Sequence, residues 1–105
     1  LTINDKSKLI KIKFDDILYI ETSKRQLIIH TINGHEIIKM SMRKLEKLLN
    51  KDFFRCHNSF IVNLEKINKI DVSDIYINNA TIPISKYRRK QLKARLIEVL
   101  GDKLC

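Results

Sequence analysis

A chain of 105 residues with 21 Lys and Arg against 12 Asp and Glu, a formal net charge of +9, has room for one domain with a modest core. It is drawn to polyanions: DNA, RNA, an anionic membrane surface or an acidic protein. The longest apolar run, Ile17 to Ile20, falls far short of the roughly 20 residues that span a bilayer, and no targeting signal is present, so the expected setting is the cytoplasm. Two cysteines, Cys56 and Cys105, do not make the disulfide framework of a small secreted domain.

The first forty residues read as Ile-rich strands. Leu9–Phe14 places Ile10, Ile12 and Phe14 on one face and Lys11 and Lys13 on the other, the pattern of a half-exposed sheet. Ile17–Ser23, Arg25–Ile32 and His35–Met40 follow, with Asn33-Gly34 as a type I′ hairpin signal between the last two. In Arg25–Ile32, Leu27 and Ile29 alternate with Ile28 and Ile32. Both faces are apolar, so this strand is expected inside the fold with something packed on each side. Ser41 is placed to cap a helix over Met42–Asn50, whose Met42, Leu45, Leu48 and Leu49 form one stripe that should cover one side of the sheet.

The most informative segment is Phe53 to Leu64. It sets Phe53, Phe54, Phe60, Ile61, Val62 and Leu64 around a polar centre of Arg55, Cys56, His57, Asn58 and Ser59, without a carboxylate. Apolar ends anchored in a core would hold the polar tip in few geometries. Asn and Ser carry both donors and acceptors, and with Arg they hydrogen-bond phosphates and base edges. The plainer reading is a solvated turn whose polar groups satisfy their own backbone.

Lys66–Val72, Ile75–Asn78 and Thr81–Ile84 then read as short strands, with Asn78-Asn79 as a turn and Pro83 marking an edge strand. Ser85 is placed to cap a helix from Lys86 to about Leu100. Its early residues Lys86, Arg88, Arg89, Lys90, Lys93 and Arg95 precede any acid until Glu98. Cations are disfavoured at the positive end of a helix dipole, and a bound anion would relieve that. Leu92, Leu96, Val99 and Leu100 form a stripe that can pack on the body of the domain while the basic face meets phosphate. Many short strands with one small helix give a mainly β domain.

The order aromatic pair, Arg, Cys, His, Asn, Ser, apolar triplet, Asn over Phe53–Asn63 resembles the signature of the LytTR family, the DNA-binding output domains of response regulators. It is most similar to the AgrA-like members, which carry the same Cys-His-Asn-Ser. The resemblance implies an elongated sandwich of several sheets, about ten short strands, a short helix after the first sheet and a basic C-terminal helix. It implies sequence-specific binding of double-stranded promoter DNA by loops that enter successive major grooves and bend the duplex. A second copy on direct repeats and a receiver domain upstream are further expected partners, in keeping with quorum-sensing or virulence regulation. A start at Leu1 without an initiator Met fits a fragment of such a protein.

Carried over by position, base contacts fall to Arg25, Asn58, Lys86 and Tyr87. Backbone or supporting contacts fall to Lys24, Arg55, His57, Ser59, Ser85, Arg88, Arg89 and Lys90. Arg25 stands where AgrA-like relatives place a histidine, and Lys86 or Tyr87 where they place an arginine, so the preferred bases can differ from theirs. Arg pairs with guanine and Asn with adenine through two hydrogen bonds each. Lys11, Lys13 and Lys39 are further candidates to hold phosphates. Arg55, beside two Phe, is equally suited to a structural bond inside the fold.

Other chemistries find less support. Cys56 and His57 are adjacent, so on extended backbone they point apart, and no motif supplies an orienting acid or oxyanion donors: an enzyme is not expected. His30, His35, His57 and Cys56 lack the paired spacing of a zinc site, and neither metal, cofactor nor small-molecule substrate is expected. Cys56 is read as a packing residue with a redox-sensitive thiol as its alternative, and the terminal Cys105 is a poor partner for it. His30 and His35 are read as strand-surface residues. The rival function is a nonspecific basic module binding RNA, anionic membrane or an acidic protein through Lys86 to Arg95. It explains the charge but not the signature segment, and it lacks the exposed stacking aromatics of an RNA-binding sheet.

Overall fold

The computed structural model describes residues 1–6 and 8–104, with side chains to Gly101, so Cys105 lies outside the described residues. Among the described residues ten strands form three antiparallel sheets in an elongated body of 44 × 27 × 25 Å. A two-stranded sheet pairs β1 (Thr2–Asp5) with β2 (Lys8–Lys11). The central sheet has the order β5-β4-β3-β7-β6, from β3 (Ile17–Ser23), β4 (Gln26–Thr31), β5 (Gly34–Ile38), β6 (Phe53–His57) and β7 (Phe60–Asn63). The third sheet has the order β10-β9-β8, from β8 (Lys69–Ile70), β9 (Asp74–Ile77) and β10 (Ala80–Pro83). Helix α1 (Met42–Glu46) joins β5 to β6, and helix α2 (Arg89–Leu104) ends the chain.

The central sheet is a wall between two cores. On one side Ile3 and Ile10 pack with Ile17, Ile20, Leu27, Ile29, Ile38, Phe53 and Ile61, closed by Met42 and Leu45 of α1. On the other, Phe54, Cys56, Val62 and Leu64 meet Ile75, Ile77 and Ile82 of the third sheet and Leu92 of α2. Alternation alone would put Ile17 and Ile20, three apart, on opposite faces. A register shift between Ile17 and Tyr19 turns both inward, as a bulge does. Asn63 is the buried polar residue of the layer; its Nδ2 donates to the Ile17 carbonyl at 2.9 Å and its Oδ1 accepts from the Glu65 amide at 3.0 Å.

Several sequence expectations shift. The strand placed over Leu9–Phe14 ends at Lys11, and Phe14–Asp16 is a 3-10 turn, while an additional strand, β1, precedes it. Ile28 is half-buried and Ile32 is exposed, so the second face of β4 is only partly covered; His30 on that face stacks on Tyr19 at 4.2 Å. The central residues of the β4–β5 turn are Ile32 and Asn33, because Thr31 pairs with Gly34. Neither has a positive φ, and Gly34 takes φ 140 at the start of β5, so this is not a type I′ turn. Ser41 caps α1 as expected, its hydroxyl accepting from the Lys44 amide at 3.1 Å. The helix stops at Glu46, however, as i to i+3 bonds tighten the chain: Leu48 N–H to Leu45 at 2.9 Å and Leu49 N–H to Glu46 at 3.3 Å. Leu48 is left exposed. Pro83 lies on an edge strand, as its missing N–H requires.

Candidate nucleic-acid interface

The signature segment is a hairpin rather than a loop. β6 and β7 flank a two-residue turn, Asn58-Ser59, with His57 paired to Phe60, and a register shift between Phe54 and His57 adds one residue to β6. Phe53 faces one core while Phe54 and Cys56 face the other, so the polar tip is anchored through both layers. Asn58 is exposed at that tip, and Ser59 and His57 are half-buried. His57 braces the turn: its Nδ1 accepts from the Ser59 amide at 3.1 Å and its ring meets Phe60 edge-on at 5.8 Å.

Antiparallel order brings further segments to the same end of the sheet. The β3–β4 turn is Lys24-Arg25, both exposed, both with positive φ of 49 and 66. This is the backbone of a type I′ turn, normally given to Asn and Gly. The two tips are joined where the Thr22 amide donates to the Ser59 carbonyl at 3.0 Å. Lys39 follows β5 at this end, since Ile38 pairs with Leu27. Lys11 and Lys13 lie at the opposite end, against Asp16, Thr31 and His35. That places them apart from the tips, beside which they were expected to hold phosphates.

The third segment begins where the Ser85 amide donates to the Cys56 carbonyl at 2.8 Å. Ser85 does not cap α2 through its side chain. Lys86–Arg88 first form a 3-10 turn closed by the Arg88 amide on the Ser85 carbonyl at 2.9 Å, and α2 starts at Arg89. Lys86 and Tyr87 are exposed, Tyr87 at 93%. Lys86, Arg89, Lys90 and Lys93 line one open surface depression. Lys93 was not singled out as a contact from the sequence, although its spacing of four from Arg89 is the helical signal that places it there.

Two cations expected on phosphate are engaged in the protein. Arg88 donates from Nη1 to the Arg55 carbonyl at 3.0 Å and from Nη2 to Asn58 Oδ1 at 3.2 Å. Arg55 donates from Nη2 to the Asn58 carbonyl at 2.8 Å, with Glu46 3.7 Å from Nη1, and its Nε is enclosed without a hydrogen-bond partner. The structural role foreseen as one option for Arg55 is therefore the one it fills in the free domain. Arg95 fastens α2 to the other end of β6, donating to the carbonyls of Lys51 and Phe53 and lying over the Phe54 ring at 6.0 Å.

Cys56 is fully buried. Its Sγ lies 3.6 Å from the Pro83 carbonyl oxygen and 3.8 Å from that of Phe60. Burial pushes its pKa up to about 12, against smaller lowering effects of its own backbone hydrogen bond and of Arg88. This is the packing role; thiolate, the reactive form, is suppressed. His30 is tied to Glu21 Oε1 at 2.9 Å and His35 is exposed on β5, both away from the tips. Among the described residues no helix is long and apolar enough to cross a membrane.

Comparison with known proteins adds to this geometry. The family model of the LytTr DNA-binding domain matches residues 7–97. Accessory gene regulator protein A of Staphylococcus aureus (strain N315) is 35% identical over 77 residues, covering 70% of this chain and 32% of the relative. Its counterpart in a Staphylococcus epidermidis strain is 34% identical over the same length. The chain thus spans about a third of the length of these curated relatives. A solved structure, the LytTr DNA-binding domain of a putative methyl-accepting/DNA response regulator from Bacillus cereus, superposes with a TM-score of 0.76. It is 28% identical and the match covers 91% of this chain and 94% of that one.

Proposed function

Since the chain belongs to the LytTR family of DNA-binding domains, we propose that it reads promoter sequence as the output domain of a cytoplasmic two-component response regulator. The observation that carries this reading is the convergence of Lys24-Arg25, Asn58-Ser59 and Lys86-Tyr87 at one end of the molecule. Thr22 joins the first pair of segments, and Ser85 and Arg88 join the second. Arg25 and Asn58, on adjoining tips, address base edges of one major groove. Lys86 and Tyr87, beyond Asn58, address the next, with the duplex bent between them. Lys24, Arg89, Lys90 and Lys93 hold phosphates, which give affinity without sequence information.

Two copies on direct repeats, and a receiver domain upstream, complete the proposed regulator. The relatives' greater length leaves room for such a domain, and gene regulation is the role their names carry. A nonspecific basic module is the less favoured reading, because the tips offer Asn and Ser where phosphate alone would need only cations.

Selection of bound sequences from a random duplex pool tests the proposal. The wild-type chain is expected to enrich a short motif, and Asn58→Ala to blur one position of it at a cost of about 1 to 3 kcal/mol in specific binding. Enrichment of no motif by the wild type would mean that the domain does not read sequence. Unchanged preference in the variant would remove Asn58 from the readers.

A further inference from the structure

Arg88 belongs by composition to a basic segment that would simply hold phosphate. Its guanidinium instead bridges two parts of the signature hairpin, the Arg55 carbonyl at 3.0 Å and the Asn58 side-chain oxygen at 3.2 Å. Thirty residues separate Arg88 from Asn58, so the contact is made by the fold and is not local. A guanidinium has donors and no acceptor, so the amide of Asn58 can face it only through Oδ1. That fixes which end of the amide is presented outward: Nδ2, with its two N–H groups. The main chain of the same residue is held as well, because Arg55 donates to the Asn58 carbonyl at 2.8 Å.

We propose that Arg88 is a positioning residue that sets the base preference of Asn58, making it a hydrogen-bond donor to an acceptor edge, guanine O6 and N7 before the others. The proposal rests on Asn58 being a base reader. The familiar bidentate pairing of Asn with adenine uses the amide oxygen to accept from the adenine N6 amino group and the amide nitrogen to donate to N7. In this domain the oxygen already takes a charge-assisted bond, and the guanidinium beside it repels the positive edge of a second amino group. Adenine N6 and cytosine N4 are therefore penalised at this position. Guanine presents acceptors at both major-groove atoms and suits a side chain held as a donor. Releasing the oxygen by removing Arg88 restores the adenine pairing.

A phosphate contact and a positioning contact leave different signatures. Losing a phosphate contact lowers the salt slope of binding by about one and weakens all duplexes alike. Losing a positioning contact changes which base is preferred and leaves the slope alone. The experiment measures binding of the whole 105-residue chain to the selected duplex and to duplexes carrying each other base at the Asn58-dependent position. It is done across a salt series for the wild type, Asn58→Ala, Arg88→Ala, Arg88→Lys and the double variant Asn58→Ala/Arg88→Ala.

Thermal unfolding of each variant confirms that it is folded, and Arg88→Lys keeps the charge while losing the two-pronged geometry. The expected result is guanine preferred in the wild type and a shift toward adenine of roughly tenfold in both Arg88 variants. The salt slope stays unchanged in Arg88→Lys, and Arg88→Ala has no further effect on preference once Asn58 is absent. If Asn58→Ala changes one position while both Arg88 variants keep the wild-type preference, the positioning role is overturned and Asn58 as reader stands. If Arg88→Ala lowers the slope by one with preference intact, Arg88 is a phosphate contact and the proposal fails. If Asn58→Ala alters no position, the reader assignment fails and this proposal with it.

Discussion

Cys56 stands between two polar neighbours of the signature hairpin and yet belongs wholly to the second core, because its strand position aims it at Ile75, Ile77 and Ile82. A thiol whose pKa rises on folding from its ordinary value of 9.0 to about 12 makes a contribution to stability that is fully present below the unfolded pKa. That contribution is lost as pH climbs from the unfolded value through the folded one, because the unfolded chain releases the proton first. In a Cys105→Ser background, with a single thiol left, native Cys56 is expected to react with a thiol reagent at about pH 8 at least a hundredfold more slowly than the unfolded chain, since each pKa unit is tenfold in thiolate. Cys56→Ala should flatten part of the alkaline loss of stability above about pH 9. Native labelling at the unfolded rate would contradict the buried assignment. At this scale the sequence was legible where a residue's role is set by its own strand. The packing role of Cys56 followed from the apolar residues around it, and the exposure of Asn58 from its place at a polar centre. The partners of Arg88 were not legible, because they depend on how the turn before α2 docks along β6; those of Arg55 depend on the shape of its own hairpin and on where Glu46 of α1 lies, which no local pattern encodes.

The turns are the elements where conformational cost and function meet. Lys24 and Arg25 both occupy the left-handed region, where an L-residue other than Asn or Gly is disfavoured by roughly 1 kcal/mol or more. A two-residue hairpin between Ser23 and Gln26 leaves no other backbone, so the side chains chosen here oppose the turn they sit in. Their placement is understandable if both are needed on DNA. Replacing them with the residues the turn prefers, Lys24→Asn/Arg25→Gly, should stabilise the domain by about 1 kcal/mol. The same pair should lower the salt slope of DNA binding by about one, through Lys24, and weaken affinity. Calorimetry and a salt titration on the one double variant check both signs; a loss of stability, or an unchanged slope, would refute the trade-off. The sequence pattern makes Arg25 the first residue of a strand, and only the family resemblance marks Lys24 and Arg25 as contacts, so the strain of this turn was not legible. The sequence reading found Gly34 as punctuation and misplaced the turn by one residue, since Gly34 serves at the strand end and the Thr31 hydroxyl, accepting from the Asn33 amide at 3.2 Å, steadies Ile32-Asn33. Ser85 failed as a cap for a related reason: the chain enters α2 through a 3-10 turn whose first amide is committed to Cys56.

Across the whole molecule, one sheet shared by two cores holds the three tips in fixed relation, and the arrangement concentrates charge rather than balancing it. The mainly β sandwich and its terminal helix were foreseen, most securely through the resemblance of Phe53–Asn63; the two-sided burial of the central sheet was only hinted at by the double apolar face of β4. With a net charge of +9, self-repulsion opposes the compact state. Its Lys and Arg ion pairs are partly exposed, as in Lys8 with Glu36 at 3.7 Å, Arg55 with Glu46 at 3.7 Å and Lys66 with Asp15 at 3.2 Å. Pairs of this kind contribute roughly 0 to 1 kcal/mol each, so salt should relieve more repulsion than it weakens attraction. Raising ionic strength from about 0.05 to 0.2 M, across which the Debye length falls through about 10 Å, should therefore raise the unfolding temperature of the free domain. DNA binding should move the other way. Four cations proposed to hold phosphates, Lys24, Arg89, Lys90 and Lys93, would give a slope of log K against log salt near −3.6 at about −0.9 per phosphate. Arg89→Ala should bring that to about −2.7 while weakening all duplexes alike. A slope shallower than about −2, with stability also falling in salt, would show that the excess charge is neither mutually repulsive in the fold nor gathered on the DNA face.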